Sequence, residues 1–319
     1  MSTNKLKLPS YGGQALIEGV LMRGKLGLAV AMRAPDGQIV IERESLGGIY
    51  HSKLTRVPFL RGLVLLWDAL GLGTRYLTRS ANLQSGEDEK IEGTSLFLTV
   101  AASMAIAIVL FFLTPAAIGK GIQTLTGIST LMMSLIEGLI RLGGIILYIW
   151  AIGRIPEIQR VFAYHGAEHK TINAFEAGAE LTPESVKRFP LEHPRCGTSF
   201  LLTLMIISIF VFTLIGSLPL GWLLLSRVLL IPILAMIAYE YIRMTANHLD
   251  SPLIRWMIRP NLALQSLTTR EPTLDMLEVS LASFNAMLEQ EKKLASAIDL
   301  PDHLPAPSSE LGDYQNQPG

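Results

Sequence analysis

Four apolar runs of membrane-spanning length constrain this chain more than any other feature of its sequence. They cover Leu96 to Ile118, Ile128 to Ile152, Ser199 to Ile215 and Leu220 to Ala238. A bilayer core needs about 20 mostly apolar residues in a helix. One such run can be a buried core helix. Four runs in two closely spaced pairs predict a mainly α-helical, polytopic membrane protein with four transmembrane helices. Composition agrees, with 17% of residues charged against about 25% in soluble globular chains.

Charge between the runs sets an orientation. Twelve Lys/Arg precede the first run, six lie in 154–197 and six follow the fourth, whereas the first connecting loop holds only Lys120 and the third holds none. Positive charge stays on the cytoplasmic side. Both termini and the central loop are therefore expected in the cytosol of a bacterial plasma membrane. The first twenty residues carry no apolar core of a signal peptide, so no cleavage or export is expected. Lys+Arg and Asp+Glu balance at 27 each, which leaves no bulk electrostatic case for nucleic acid. The expected partners are the lipid bilayer, other membrane proteins, and a lipid-linked or cytosolic small substrate.

The cytoplasmic parts divide by pattern. Residues 1–93 are read as an N-terminal region. In it, LAVAMRAPDGQIVIERE (28–44) alternates around Pro35-Asp36-Gly37 and predicts a small β-hairpin. The preceding GGQALIEGVLMRG (12–24) reads as a glycine-punctuated loop and strand. Residues 57–79 form an amphipathic helix that suits either the cytoplasmic leaflet or the flank of the spans. The spans occupy 94–154 and 198–240, with a His/Cys loop at 155–197 between them. Within that loop a helix is expected from Pro156 to Ala177 with Gly178 as its stop. Thr182-Pro183-Glu184 then opens a short helix. Residues 241–298 are a further helical region, and 299–319 is expected to be a disordered tail.

That loop carries the chemistry. It contains HGAEHKTINAFEAG (165–178) and HPRCGTSF (193–200), which hold three of the six histidines and the only cysteine. His165 and His169 are i, i+4, so one helix face presents both, and Glu176 returns to that face two turns on. His193 and Cys196 add a second close pair. These are the donor types of a tetrahedral zinc site. A cytosolic position keeps the thiol reduced. Four ligands would make a closed structural site, and three with a water a catalytic one. Residues 165–169 also spell H-x-x-E-H, the inverzincin pattern, with Glu168 as general base. No downstream acid has a recognised context, Glu176 and Glu240 being the nearest. The bland alternative is histidines that hydrogen-bond backbone or lipid headgroups, and a cysteine that is simply a small buried residue.

Inside the bilayer, Glu137 and Arg141 interrupt the second run and Arg227 the fourth. Ionisable residues at that depth face a bundle interior and pair. A structural ion pair joining spans two and four is the expectation. A transporter would need these groups to reach the cytosol through a polar cavity.

Taken together, GGQALIEGVLMRG, the APDG hairpin, the two His/Cys blocks and YEYIR (239–243) resemble the YqhQ-like bacterial membrane proteins, domain-of-unknown-function family 1385. The resemblance runs over about residues 10–295. It implies that Glu18, His165, Glu168, His169, Glu176, His193, Arg195 and Cys196 belong together. Members are sometimes labelled predicted metal-dependent enzymes. The expectation is a membrane-bound, hydrolase-like enzyme with zinc on His165, His169, His193 and Cys196, Glu176 in reserve, and Glu168, Glu18 and Arg195 as catalytic candidates. Arg195 suits an anionic substrate group. The alternative class is a non-catalytic scaffold or assembly factor with a structural metal, and a transporter is third.

Overall fold

The computed structural model describes residues 11–47, 57–85, 93–216 and 218–297. The expected tail from 299 lies outside them. The chain divides into two compact units. The sheet unit takes residues 1–47, 160–191 and 270–319, and the helical unit takes 48–159 and 192–269.

The sheet unit begins with four antiparallel strands in sequence order, β1 (Gly12–Leu16), β2 (Gly19–Arg23), β3 (Gly27–Arg33) and β4 (Ile39–Ser45). The predicted hairpin is β3–β4. Its turn closes through Ala34 N–H to the Gln38 carbonyl at 2.8 Å, with Gly37 at φ +90°. The glycine-rich stretch before it is a second hairpin rather than a loop and strand. Its turn is Ile17-Glu18, and Glu18 adopts φ +52°. Glycine is poor in strands for want of a side chain to pack. Here packing requires it: a Cβ on Gly19 would meet the Ala31 carbonyl oxygen at 2.6 Å and Met32 Cγ at 2.8 Å.

Among the described residues, three helices complete this unit: the part of α5 (Pro156–Glu176) from residue 160 on, α6 (Pro183–Val186) and α12 (Leu274–Ala297). Val20 and Met22 pair in register with Ala31 and Ala29, so their side chains share a face. That face packs with Ala167 and Phe175 of α5, Val186 of α6, and Leu277, Leu281, Phe284 and Leu288 of α12. Tyr11, Phe175 and Phe284 meet edge-on or tilted with centroids 4.9–5.6 Å apart. The alternate residues Leu28, Val30 and Met32 are buried too. α5 stops as expected at Gly178 (φ +68°). Thr182 caps α6 by accepting the Ser185 N–H.

The helical unit contains α1 (Leu60–Gln84), α2 (Gly93–Ile108), a π-helical turn (Val109–Leu113), α3 (Thr114–Thr126), α4 (Thr130–Ile152), α7 (Gly197–Ile215), α8 (Leu220–Leu229), α9 (Ile231–Ala246), α10 (Pro252–Met257) and α11 (Arg259–Thr268). Among the described residues, three helical stretches are long and apolar enough to cross a membrane: Gly93–Thr126, Thr130–Ile152 and Gly197–Ile215. A fourth is added if α8 and α9, bent by 44°, count as one span. α1 packs on α9. There Arg61 pairs with Glu240, and Gly62 lies against Met236 and Tyr239.

Two prolines break the long helices. Pro115 has no N–H to give the Phe111 carbonyl four residues back. The π turn lies at this place, and Arg141 Nε takes the carbonyl at 2.9 Å. Pro232 likewise follows the bend at Leu230. Both breaks lie near the buried charges. Glu137 accepts from Arg141 at 2.5 Å and from Arg227 at 2.6 and 2.8 Å. The sequence expectation of a pair joining the second and fourth runs is therefore met as a three-residue cluster.

Candidate functional site

The first His/Cys block lies on α5 within the sheet unit. The i, i+4 spacing brings the His165 and His169 rings to 4.4 Å between centroids at 66°. His169 is buried, and its Nδ1 hydrogen-bonds the Leu191 carbonyl. A carbonyl only accepts, so Nδ1 carries the proton. In the neutral ring Nε2 then bears the lone pair, the arrangement typical of metal-ligating histidine. Glu168 is also buried, and Gly13 of β1 makes room for it: a Cβ there would stand 2.9 Å from Glu168 Cγ. Glu176 is half-buried on the last turn of α5.

Other members of the block fasten the unit. Lys170, buried, donates to the Lys187 and Phe189 carbonyls at 2.8 and 2.7 Å and pairs with Glu271 at 2.8 Å. Thr171 shares a hydrogen bond of 2.8 Å with Ser280 of α12. Asn173 Nδ2 donates to the Pro190 carbonyl at 3.0 Å. These contacts hold residues 187–191 along the helix and so place the carbonyl that orients His169.

Glu18 sits at the β1–β2 turn. It accepts from Arg160 Nε and Nη2, both at 2.5 Å, and from the Tyr164 hydroxyl at 3.3 Å. The Arg160 hydrogen bonds hold its carboxyl below the usual range, against the opposing effect of burial. Burial, reinforced by the Glu18 charge, pushes the Tyr164 phenol well above its usual value. Tyr164 therefore stays a donor. A carboxylate whose folded pKa is lowered stabilises the fold fully above its ordinary value of 4.5. That contribution disappears as pH falls through the lower folded value. The stability difference between wild type and Glu18→Gln, followed by chemical unfolding against pH, should shrink on the acid side. A difference that stays constant into acid would exclude this role.

The second block lies in the helical unit. Gln265 of α11 brackets His193: its Oε1 accepts the His193 N–H and its Nε2 donates to the His193 carbonyl, both at 2.9 Å. The same Nε2 donates to Ser199 Oγ at 2.9 Å. His193 Nδ1 accepts the Arg195 N–H at 3.4 Å, which leaves the proton of the neutral ring on Nε2. Cys196 is the N-cap of α7: Sγ accepts the Thr198 N–H at 3.4 Å and meets Thr198 Oγ1 at 3.2 Å. Burial pushes the Arg195 guanidinium below its usual value.

The residues singled out in the sequence therefore divide. Glu18, His165, Glu168, His169 and Glu176 belong to the sheet unit. His193, Arg195 and Cys196 belong to the helical unit. A family model described as a protein of unknown function (DUF1385) matches residues 57–290. The chain belongs to the DUF1385 family. The uncharacterized protein YqhQ of Bacillus subtilis (strain 168) is 35% identical over 320 residues, covering 95% of this chain and 99% of that protein. No solved structure matches. The DUF1385 match starts after the strands and takes in both His/Cys blocks, whereas the alignment with the Bacillus protein extends over nearly the whole chain.

Two residues escaped the sequence reading of this DUF1385 chain. Gln265 lay in a stretch read only as a further helical region. Its signal was the polar stripe Asn261, Gln265, Thr268 at helical spacing among apolar neighbours, all three buried. Leu191 acts through its carbonyl, which no side-chain pattern reports.

Proposed function

We propose that the chain is a multi-pass membrane protein and a metal-dependent, hydrolase-like enzyme acting at the cytoplasmic face. The membrane part is supported by where apolar surface lies. Among the described residues, every exposed large apolar side chain except Leu274 belongs to the helical unit. Soluble units rarely expose apolar patches of that extent. The positive-inside count supports both termini lying in the cytosol.

The observation that carries the metal reading is the His169 ring, buried and oriented by the Leu191 carbonyl beside His165. His165 and His169 are the first two ligands, with zinc the metal their chemistry favours. The sequence supplies Cys196, His193 and Glu176 as further donors. Cys196 could ligate and still accept the Thr198 N–H, since a thiolate has lone pairs for both, whereas His193 would give up its bond from Arg195. Glu168 is the base, and Arg195 and Glu18 are supporting catalytic candidates. A phosphate or ester on a lipid-linked or cytosolic molecule is the substrate class that suits this location.

Metal analysis of the purified protein tests this. Stoichiometric zinc in wild type and its loss in both His165→Ala and His169→Ala is the expected result. Equal, negligible metal in all three sinks the reading. A second reading, a scaffold with a structural metal, draws on the fastening by Lys170, Thr171 and Asn173. A structural metal contributes folding free energy directly. Chelation would then unfold the unit, whereas an enzyme's apo form would stay folded with a lowered unfolding temperature.

A further inference from the structure

The cluster at Glu137 has a surplus of charge. Two guanidiniums share one carboxylate, and all three side chains are at most 1% exposed. Among the described residues neither arginine pairs with another acid. Arg141 also donates to Ser208 Oγ at 2.7 Å and to the Phe111 carbonyl at 2.9 Å. Arg227 stacks on Phe212 at 3.9 Å, and its Nη1 has only a 3.4 Å contact with Ser226 Oγ. One net positive charge is thus buried in a helical bundle, where an uncompensated ion is strongly disfavoured.

Geometry places these groups in one layer. Glu137 is seven residues into α4, Arg227 seven into α8, and Ser208 seven before the end of α7. At 1.5 Å per residue each is about 11 Å from the helix end next to a short connecting loop. Both discontinuities adjoin this layer: the π turn that releases the Phe111 carbonyl, and the bend after α8. Broken helices around a buried charge are how membrane proteins build ion sites. One further observation points to an occupant. The Ser134 hydroxyl, one turn from Glu137, is buried with no hydrogen-bond partner among the described residues. α7 also carries buried hydroxyls at Ser199, Thr203 and Ser208. The first two are bonded by Gln265 and Asn261. Those two share one face of α7 near the HPRC block, whereas Ser208 lies about 180° round the helix from Ser199, against Arg141.

We propose that the Glu137–Arg141–Arg227 cluster is a binding site for a small monovalent anion, held against the Arg227 and Arg141 guanidiniums. One negative charge completes the balance. This site is separate from the proposed metal ligands. The test uses the full chain in detergent, with sodium chloride replacing sodium gluconate at constant ionic strength. Saturable stabilisation is expected, raising the unfolding temperature by on the order of 5 °C at saturation. Arg227→Gln removes the surplus charge and should abolish the chloride dependence, while Arg227→Lys should keep it. Should Arg227→Gln not fold, equilibrium dialysis of radiolabelled chloride against wild type reads the site directly, with stoichiometric binding expected. Identical unfolding temperatures in the two salts would overturn the proposal, since the aromatic faces and carbonyl would then suffice. Absence of bound chloride, or a chloride effect that persists in Arg227→Gln, would overturn it equally.

Discussion

Glu137→Ala is expected to destabilise the helical unit by about 3–5 kcal/mol, the largest effect of any single replacement considered. Arg227 would lose two of its bonds and Arg141 one. Two guanidiniums would remain buried with no carboxylate, in helices whose outer faces are apolar. The penalty comes from those stranded charges, and this separates two cases. Replacing all three together by Glu137→Leu, Arg141→Met and Arg227→Leu removes the charges instead of stranding them. It should cost far less than the single change, because a buried ion cluster contributes little beyond an apolar packing of equal volume. Thermal or chemical unfolding in detergent compares the two. A single variant within about 1 kcal/mol of wild type would mean that water reaches the cluster. Chloride at the anion site should partly rescue Glu137→Ala, because that variant carries two surplus charges.

The apolar runs were legible because crossing a bilayer is a demand on length and composition, both printed in the sequence. Where those runs break was less legible. The fourth was read to Ala238, but helix continues through a bend to Ala246. Pro115 and Pro232 were visible, yet their consequence depends on a partner for the freed backbone. Arg141 takes the Phe111 carbonyl from thirty residues away, a relation that local pattern does not contain. The strands show the same limit. Pro35-Asp36-Gly37 announces its hairpin through turn chemistry between two alternating runs. The β1–β2 hairpin turns on Ile17-Glu18, where a non-glycine residue takes a positive φ. Its glycines are explained only by what approaches them: the Leu21 carbonyl oxygen and Glu168 at Gly13, Ala31 and Met32 at Gly19.

For the candidate site, helical periodicity alone paired His165 with His169. What orients the ring could not be seen, since the Leu191 carbonyl arrives by a chain reversal at Gly178 and the short α6. Glu18 was tied to the histidines only through resemblance. Its partners, Arg160 and Tyr164, lie one and a half turns or less before His165 on the same helix. Much of the block's remaining identity is mechanical. Lys170, Thr171 and Asn173 each satisfy a specific carbonyl or hydroxyl, so a motif that reads as one reactive unit contains two kinds of residue.

Gly166→Ala separates those kinds. A Cβ at residue 166 would lie 2.2 Å from the Arg270 carbonyl oxygen and 2.7 Å from Leu191 Cδ2. The first contact is backbone, and that segment is held in place by the Arg270 N–H to the Phe162 carbonyl at 2.9 Å. The Leu191 side chain can yield by a rotamer change but the Arg270 backbone cannot, so the chain must move. A loss of about 2–4 kcal/mol is expected, at the upper end for overpacking. His165→Ala, by contrast, removes a half-buried side chain and should cost about 1 kcal/mol or less in metal-free protein. Unfolding by denaturant, read alongside metal content, distinguishes the two. Gly166→Ala should fall in stability even without metal, because it acts on packing. His165→Ala should lose metal before it loses the fold. If both variants instead lose stability only when metal is present, the helix is held by the metal rather than by its contacts, and the scaffold reading displaces the enzyme.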